Sequence, residues 1–225
     1  MYLWSAPNRI RMPAPVITSE QLLLLRGKYV YLNFATEAHR ERLRPLAKND
    51  RIWEFTKTLM VTDTYDAQFD EYFDAALATA KEGQAFVIHR TTDDAIIGMT
   101  RIHSYTPKDK WCEIGHTWYL PEVWGQVHNK ECKLLLLQYL FEQVGLCRVQ
   151  FRVAGQNLRS QRAVEKIGGT REGVLRKIGF RPDGTRKDAV VFSIIDDEWP
   201  EKKKNLQALI ASFSSTNRSA HPNPR

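Results

Sequence analysis

No apolar run in the chain approaches the ~20 residues that a membrane-spanning helix requires; Leu22–Leu25 and Leu134–Leu137 are among the longest. The N-terminus has Pro7, Pro13 and Pro15 and no apolar core of a secretory signal. Cysteine is scarce. Cys112, Cys132 and Cys147 form no CxxC pair, and the six histidines show no ligand spacing, which argues against a structural zinc or other metal site. An odd number of cysteines without a signal peptide fits a reducing compartment, so the expected location is cytoplasmic. Neither sign of charge dominates the body of the chain. The net charge is +7, yet residues 1–26 carry +2, residues 199–225 carry +4, and residues 27–198 carry only +1. A nucleic-acid-binding core would show a clustered basic face, whereas this excess sits at the two ends.

What is present is a globular composition, 43% hydrophobic and 26% charged, which excludes a disordered or collagen-like chain. Residues 1–17 are Pro-rich and aperiodic and read as a flexible arm. Residues 18–213 read as one domain, and residues 214–225, polar with two prolines, as a disordered tail. Within the domain, alternation predicts strands over 27–34, 85–91, 95–105, 111–120, 147–154, 173–180 and 188–196. Helical spacing predicts helices over 37–49 (N-cap Thr36, interrupted at Pro45), 66–82, 129–144, 157–167 and 199–213. The run of antiparallel strands leads into one strand–helix–strand crossover, 111–120 to 129–144 to 147–154, which demands a parallel pair inside a mixed sheet. Cys132 and Cys147, placed in an apolar helix and strand, are expected to be buried small hydrophobes rather than nucleophiles.

Several segments, in order, carry a resemblance to a known family: Gly27-Lys-Tyr-Val-Tyr-Leu; Glu113-Ile-Gly115; Trp124-Gly-Gln-Val-His-Asn-Lys-Glu131; Asn157-Leu-Arg-Ser160; Glu172-Gly-Val-Leu-Arg176; Arg181-Pro-Asp-Gly184; and the segment from Phe192 to Trp199. Together they cover about residues 27–213. The chain resembles the GNAT acyltransferase superfamily, in particular RimJ/RimL-type N-acetyltransferases. The resemblance implies an α/β (α+β) fold with a mixed, mostly antiparallel, splayed sheet flanked by helices. It implies acetyl-CoA as co-substrate, direct acetyl transfer to a primary amine (a protein N-terminus or a small molecule), and a possible homodimer.

The same resemblance places the pantetheine arm along Trp118, Tyr119 and Leu120, paired as an extra strand. It places the pyrophosphate at the loop and helix start formed by Trp124, Gly125, Gln126, Val127, His128, Asn129 and Lys130, where free N–H groups and the helix dipole attract anions. The usual Gln/Arg-x-x-Gly-x-Gly/Ala signature is not kept here, because Trp124, Val127 and Asn129 occupy its three fixed positions. Gly at the middle position lets the backbone approach a phosphate without a Cβ, so Val127 implies altered binding. Asn157 and Ser160 would contact the arm from the next helix. Attack by an amine on a thioester needs a base and a proton source. Glu113 is the expected base, with His116 as the alternative, and Ser160 and Tyr119 are the expected acids. Simple alternation sets Glu113, Gly115, Thr117 and Tyr119 on one face and Cys112, Ile114, His116 and Trp118 on the other. Trp53, Phe55 and Tyr65 are the expected acceptor contacts. Two rival readings remain open: a non-catalytic module with a degraded CoA loop, and a nucleic-acid or ribosome-associated protein acting through its basic ends.

Overall fold

The computed structural model describes residues 25–56, 58–78, 84–181 and 183–219, with side chains through Phe213. The expected arm at 1–17 therefore lies outside the described residues, as does the end of the expected helix at 79–82. Seven strands form one sheet: β1 (Val30–Phe34), β2 (Gln84–Arg90), β3 (Ile96–Thr106), β4 (Trp111–Tyr119), β5 (Arg148–Ala154), β6 (Thr170–Phe180) and β7 (Arg186–Ile195). Their spatial order is β1-β2-β3-β4-β5-β7-β6. Every neighbouring pair is antiparallel except β4 and β5, which the crossover makes parallel.

The helices cover both faces. On one side lie α1 (Arg40–Ala47), α2 (Asp50–Trp53) and α3 (Tyr65–Ala78), whose apolar residues join Val87, Met99 and Trp118 of the sheet in one core. On the other lie α4 (His128–Gln138), α5 (Leu158–Lys166) and α6 (Trp199–Ser219), which pack on Ile97, Cys112, Ile114, Val149 and Phe192. Pro45 sits inside α1 without ending it, so the break comes later, between Ala47 and Asp50. The π-helical segment Tyr139–Gln143 continues α4, and its Glu142 takes the Trp199 indole N–H at 2.8 Å and Lys203 Nζ at 2.7 Å, which docks α6. α6 continues past Phe213, its expected end, to Ser219. Cys112 and Cys132 are buried. Cys147 is exposed, against expectation, because β5 starts one residue after it. Among the described residues no helix is long and apolar enough to cross a membrane.

One buried carboxylate ties the first strand to the crossover helix. Glu131 of α4 accepts backbone N–H bonds from Lys28 at 2.9 Å, Tyr29 at 2.6 Å and Val30 at 2.8 Å. Gly27 makes room for it, since a Cβ there would stand 2.4 Å from the carboxylate carbon. Charge-assisted bonds to buried donors are expensive to lose. Glu131→Ala is expected to destabilise the protein by about 3 kcal/mol, measured as a lowered urea midpoint with an unchanged m-value. Gly27→Ala is expected to shift the midpoint in the same direction.

Candidate active site

The parallel pairing of β4 with β5 lasts for three residue pairs, Trp111↔Arg148, Cys112↔Val149 and Glu113↔Gln150. Beyond Glu113 the two strands separate and leave a fork. The cause is local. β4 carries a bulge opposite Thr100: Arg101 pairs with Gly115 and Met99 with Trp118, so His116 and Thr117 together face one residue. His116 takes φ +48°, in the left-handed region. A bulge bends and twists its strand, and here the bend falls where the pairing with β5 ends. It also overturns the simple alternation. After the bulge Tyr119 joins Cys112 and Ile114 in the core beneath α4, and Trp118 joins the α1–α3 core. His116 lies on the side of Glu113, with its ring edge against His103 at 5.2 Å.

The fork opens into a cleft of about 530 Å³. On one side of it Trp118 Nε1 donates to the Tyr72 hydroxyl at 3.0 Å, Trp53 packs edge-on against Tyr72, and the Arg101 guanidinium covers the Tyr72 ring. At the base of the fork Glu113, 3% exposed, accepts from Gln150 Nε2 at 3.1 Å and pairs with Arg152 Nε at 2.7 Å. His103 Nε2 lies 3.6 Å from the same carboxylate. Gly115 allows this, because a Cβ there would meet His103 Nε2 at 2.6 Å. Burial holds the His103 imidazole below its usual pKa, with Glu113 pulling the other way. At the mouth, Trp124 Nε1 donates to the Tyr119 carbonyl at 2.9 Å, and the Arg159 guanidinium of α5 stacks on the indole at 3.6 Å.

Residues 30–170 match the family described as acetyltransferase (GNAT) domain. That stretch is more than half of the chain. The chain belongs to the GNAT acetyltransferase family. YoaA, an uncharacterized N-acetyltransferase of Bacillus subtilis, is 33% identical over 121 residues, which cover 54% of this chain and 67% of YoaA. A GCN5-related N-acetyltransferase from Brucella melitensis shares the fold with a TM-score of 0.74 at 23% identity, over 83% of this chain and 84% of that one. RimJ of Mycobacterium smegmatis, in complex with CoA-disulfide, shares it with a TM-score of 0.67 at 20% identity, over 80% and 88%.

Within this GNAT fold the cleft gathers many of the residues expected from sequence: Trp53, Phe55, Glu113, His116, Trp118, Tyr119, Trp124, Gly125, Asn129, Asn157 and Ser160 all line it. Asn157 also caps α5, its Oδ1 accepting the Ser160 N–H at 2.9 Å. Tyr119 has its phenol buried, and burial holds it well above the ordinary tyrosine pKa, so it is a weak proton source. Burial and the nearby Arg101 and His103 hold the His116 imidazole below its usual value, so it is a weak base.

Other expected residues do not line the cleft. Tyr65 is core, its hydroxyl donating to the Arg44 carbonyl at 2.7 Å. Leu120 donates its N–H to Ile97 of β3, and Val127 is buried in the α4 core. His128 is buried, and Lys130 Nζ turns back to the Gln126 carbonyl at 2.9 Å and onto the Phe213 ring. The side chains of Gln126, His128 and Lys130 therefore bring no charge to the cleft, and whatever that loop offers there comes from Trp124, Gly125, Asn129 and backbone. Among the described residues no group of three His, Cys, Asp or Glu side chains could hold a metal ion.

Sequence reasoning missed Tyr72, His103, Arg152 and Lys133. Lys133 follows Asn129 by four residues and so shares its helix face, a signal that was legible. Its Nζ donates to Thr117 Oγ1 at 2.8 Å and Thr100 Oγ1 at 3.1 Å, and among the described residues no carboxylate pairs with it. Burial moves it from the ordinary lysine value of 10.5 down to about 8. A base whose folded pKa is depressed binds its proton less readily in the folded state. That penalty is complete below pH 8 and fades as pH rises toward 10.5. Lys133→Met is therefore expected to stabilise the protein at pH 7 by about 3 kcal/mol, with the gain shrinking between pH 8 and 10.5. Denaturant unfolding across that pH range measures it.

Proposed function

We propose that this GNAT chain transfers the acetyl group of acetyl-CoA directly to a primary amine, and that the acceptor is a protein α-amino group or a peptide-like amine. The observation that carries the reading is the forked β4–β5 pair. Leu120 N–H bonds to β3, so by alternation Tyr119 turns its N–H and carbonyl to the fork. An extended arm can pair with that edge. At one end of the fork is the first turn of α4, whose N–H groups suit a phosphate. At the other end are Glu113 and His103. These features fit a long, anionic, strand-like ligand ending in a reactive group.

Acetyl-CoA would supply an activated acyl carbonyl. The chain's residues would do the rest. An acceptor ammonium must lose a proton before its nitrogen can attack. His103 is better placed than Glu113 to receive it, because Arg152 and Gln150 already engage the Glu113 carboxylate. Glu113 then orients His103 and stabilises the imidazolium. Trp53, Tyr72 and Trp118 form an aromatic wall that holds the acceptor and excludes water. The resemblance of the sequence motifs to RimJ/RimL-type enzymes is what leans the acceptor toward a peptide α-amine, since a shared fold does not fix substrate.

Trp124 favours a second reading. Its indole already occupies the Tyr119 carbonyl and is braced by Arg159. In a non-catalytic module this plug would stay in place. Calorimetry with acetyl-CoA separates the two. The enzyme reading expects saturable heat, and thiol release when peptides with free α-amines are added but not when their N-acetylated forms are. A flat trace at millimolar acetyl-CoA would remove it. His103→Gln is expected to lower kcat by about 100-fold and to leave acetyl-CoA affinity unchanged.

A further inference from the structure

Lys133 is a buried charged group in the cleft that the reading above does not use. It is 4% exposed, yet it lines the cleft together with Asn129 one turn earlier on α4. Among the described residues its hydrogen bonds are to the hydroxyls of Thr100 and Thr117, which also bond each other at 2.7 Å. Thr117 belongs to the bulge, on the β4 edge that faces the fork. The amine therefore joins the first turns of α4 to the bulge of β4 inside the cleft. A buried ammonium without a carboxylate lacks the partner that normally compensates its desolvation. Two hydroxyls that already satisfy each other do not require it. Such a group weakens the fold and is positioned for negative charge that arrives with a ligand.

We propose that Lys133 is the proton donor to the departing thiolate. This rests on the acetyl-CoA reading. As the acceptor nitrogen's electron pair forms the new C–N bond, the C–S bond breaks and its electron pair stays on sulfur. Lys133 Nζ gives one proton to that sulfur. The ammonium's first proton leaves through His103 to solvent before attack; the second, shed by the nitrogen as the C–N bond forms, passes through His103 and cleft water and returns Lys133 to its charged form, so amine and thioester yield amide and thiol. A pKa near 8 suits a donor that is charged at neutral pH and readily gives up its proton. On its own helix the titratable group that interacts with it is Cys132, whose thiol burial pushes up. From β3, β4 and β5 the cleft presents His103, His116 and the Glu113–Arg152 pair.

The test uses the full chain with CoA itself and needs no acceptor. Calorimetry first measures CoA binding. The ultraviolet absorbance of the bound thiolate is then followed against pH, with the CoA-free protein subtracted to remove the cysteines. In the wild type the bound thiol is expected to ionise about one pH unit below free CoA. In Lys133→Met that shift is expected to vanish while CoA affinity changes less than about threefold, and Lys133→Arg is expected to restore part of it. Tight binding with no shift in the wild type overturns the proposal and leaves the acetyltransferase reading standing, as does a shift that survives in Lys133→Met. Absence of CoA binding overturns both.

Discussion

The structure turns on where the β4–β5 pairing stops. Two parallel strands placed side by side would ordinarily stay paired and leave no opening. Here three residue pairs form, and then the bulge at His116 and Thr117 bends β4 away. Glu113 sits at the last pair, and its carboxylate grips Gln150 and Arg152 on the opposite strand. The base of the fork is thus pinned while its arms diverge. The cleft, the turn of the Tyr119 backbone toward the fork and the meeting of α4 with β4 through Lys133 all follow from that geometry.

The two faces of the sheet divide the labour. Beneath the fork, α4 is locked to β1 through Glu131 and to α6 through Glu142, so its N-terminal turn is fixed relative to β4. Above it, Trp53, Tyr72 and Trp118 hold one another through ring contacts and the Trp118–Tyr72 hydrogen bond. Rigid walls on both sides of a divergent strand pair suit the proposed transfer, whose main demand is alignment of an amine with an acyl carbon. Stability is given up at the same place. Lys133 is buried with no carboxylate partner among the described residues, and His116 adopts a backbone conformation that most side chains avoid.

Most of the fold was legible from alternation and helical spacing, because both faces of the sheet are covered and the apolar positions follow their periods closely. The crossover 111–154 predicted the parallel pair, and the motif order predicted the GNAT architecture. The bulge was not legible. Nothing in Ile114-Gly115-His116-Thr117 marks the extra residue except Gly115, and a glycine in a strand signals a close approach without saying of what. Missing it put Tyr119 on the face of Glu113 and Trp118 opposite, the reverse of their true sides. The site residues lost for the same reason were those that depend on strand register: His103 and Arg152 reach Glu113 from neighbouring strands that sequence spacing does not align. At the α4 entry, sequence spacing does not give side-chain directions, so His128 and Lys130 read as cleft residues when packing turns them away.

The claim on which the rest depends is that the β4 edge in the fork takes a ligand's arm as an added strand. Amide hydrogen exchange at Tyr119, with and without saturating acetyl-CoA, tests it most directly. The account predicts slowed exchange of the Tyr119 N–H on binding, with the β3-paired Leu120 N–H unchanged as the internal control. Binding that saturates while Tyr119 exchanges at its free rate would contradict it.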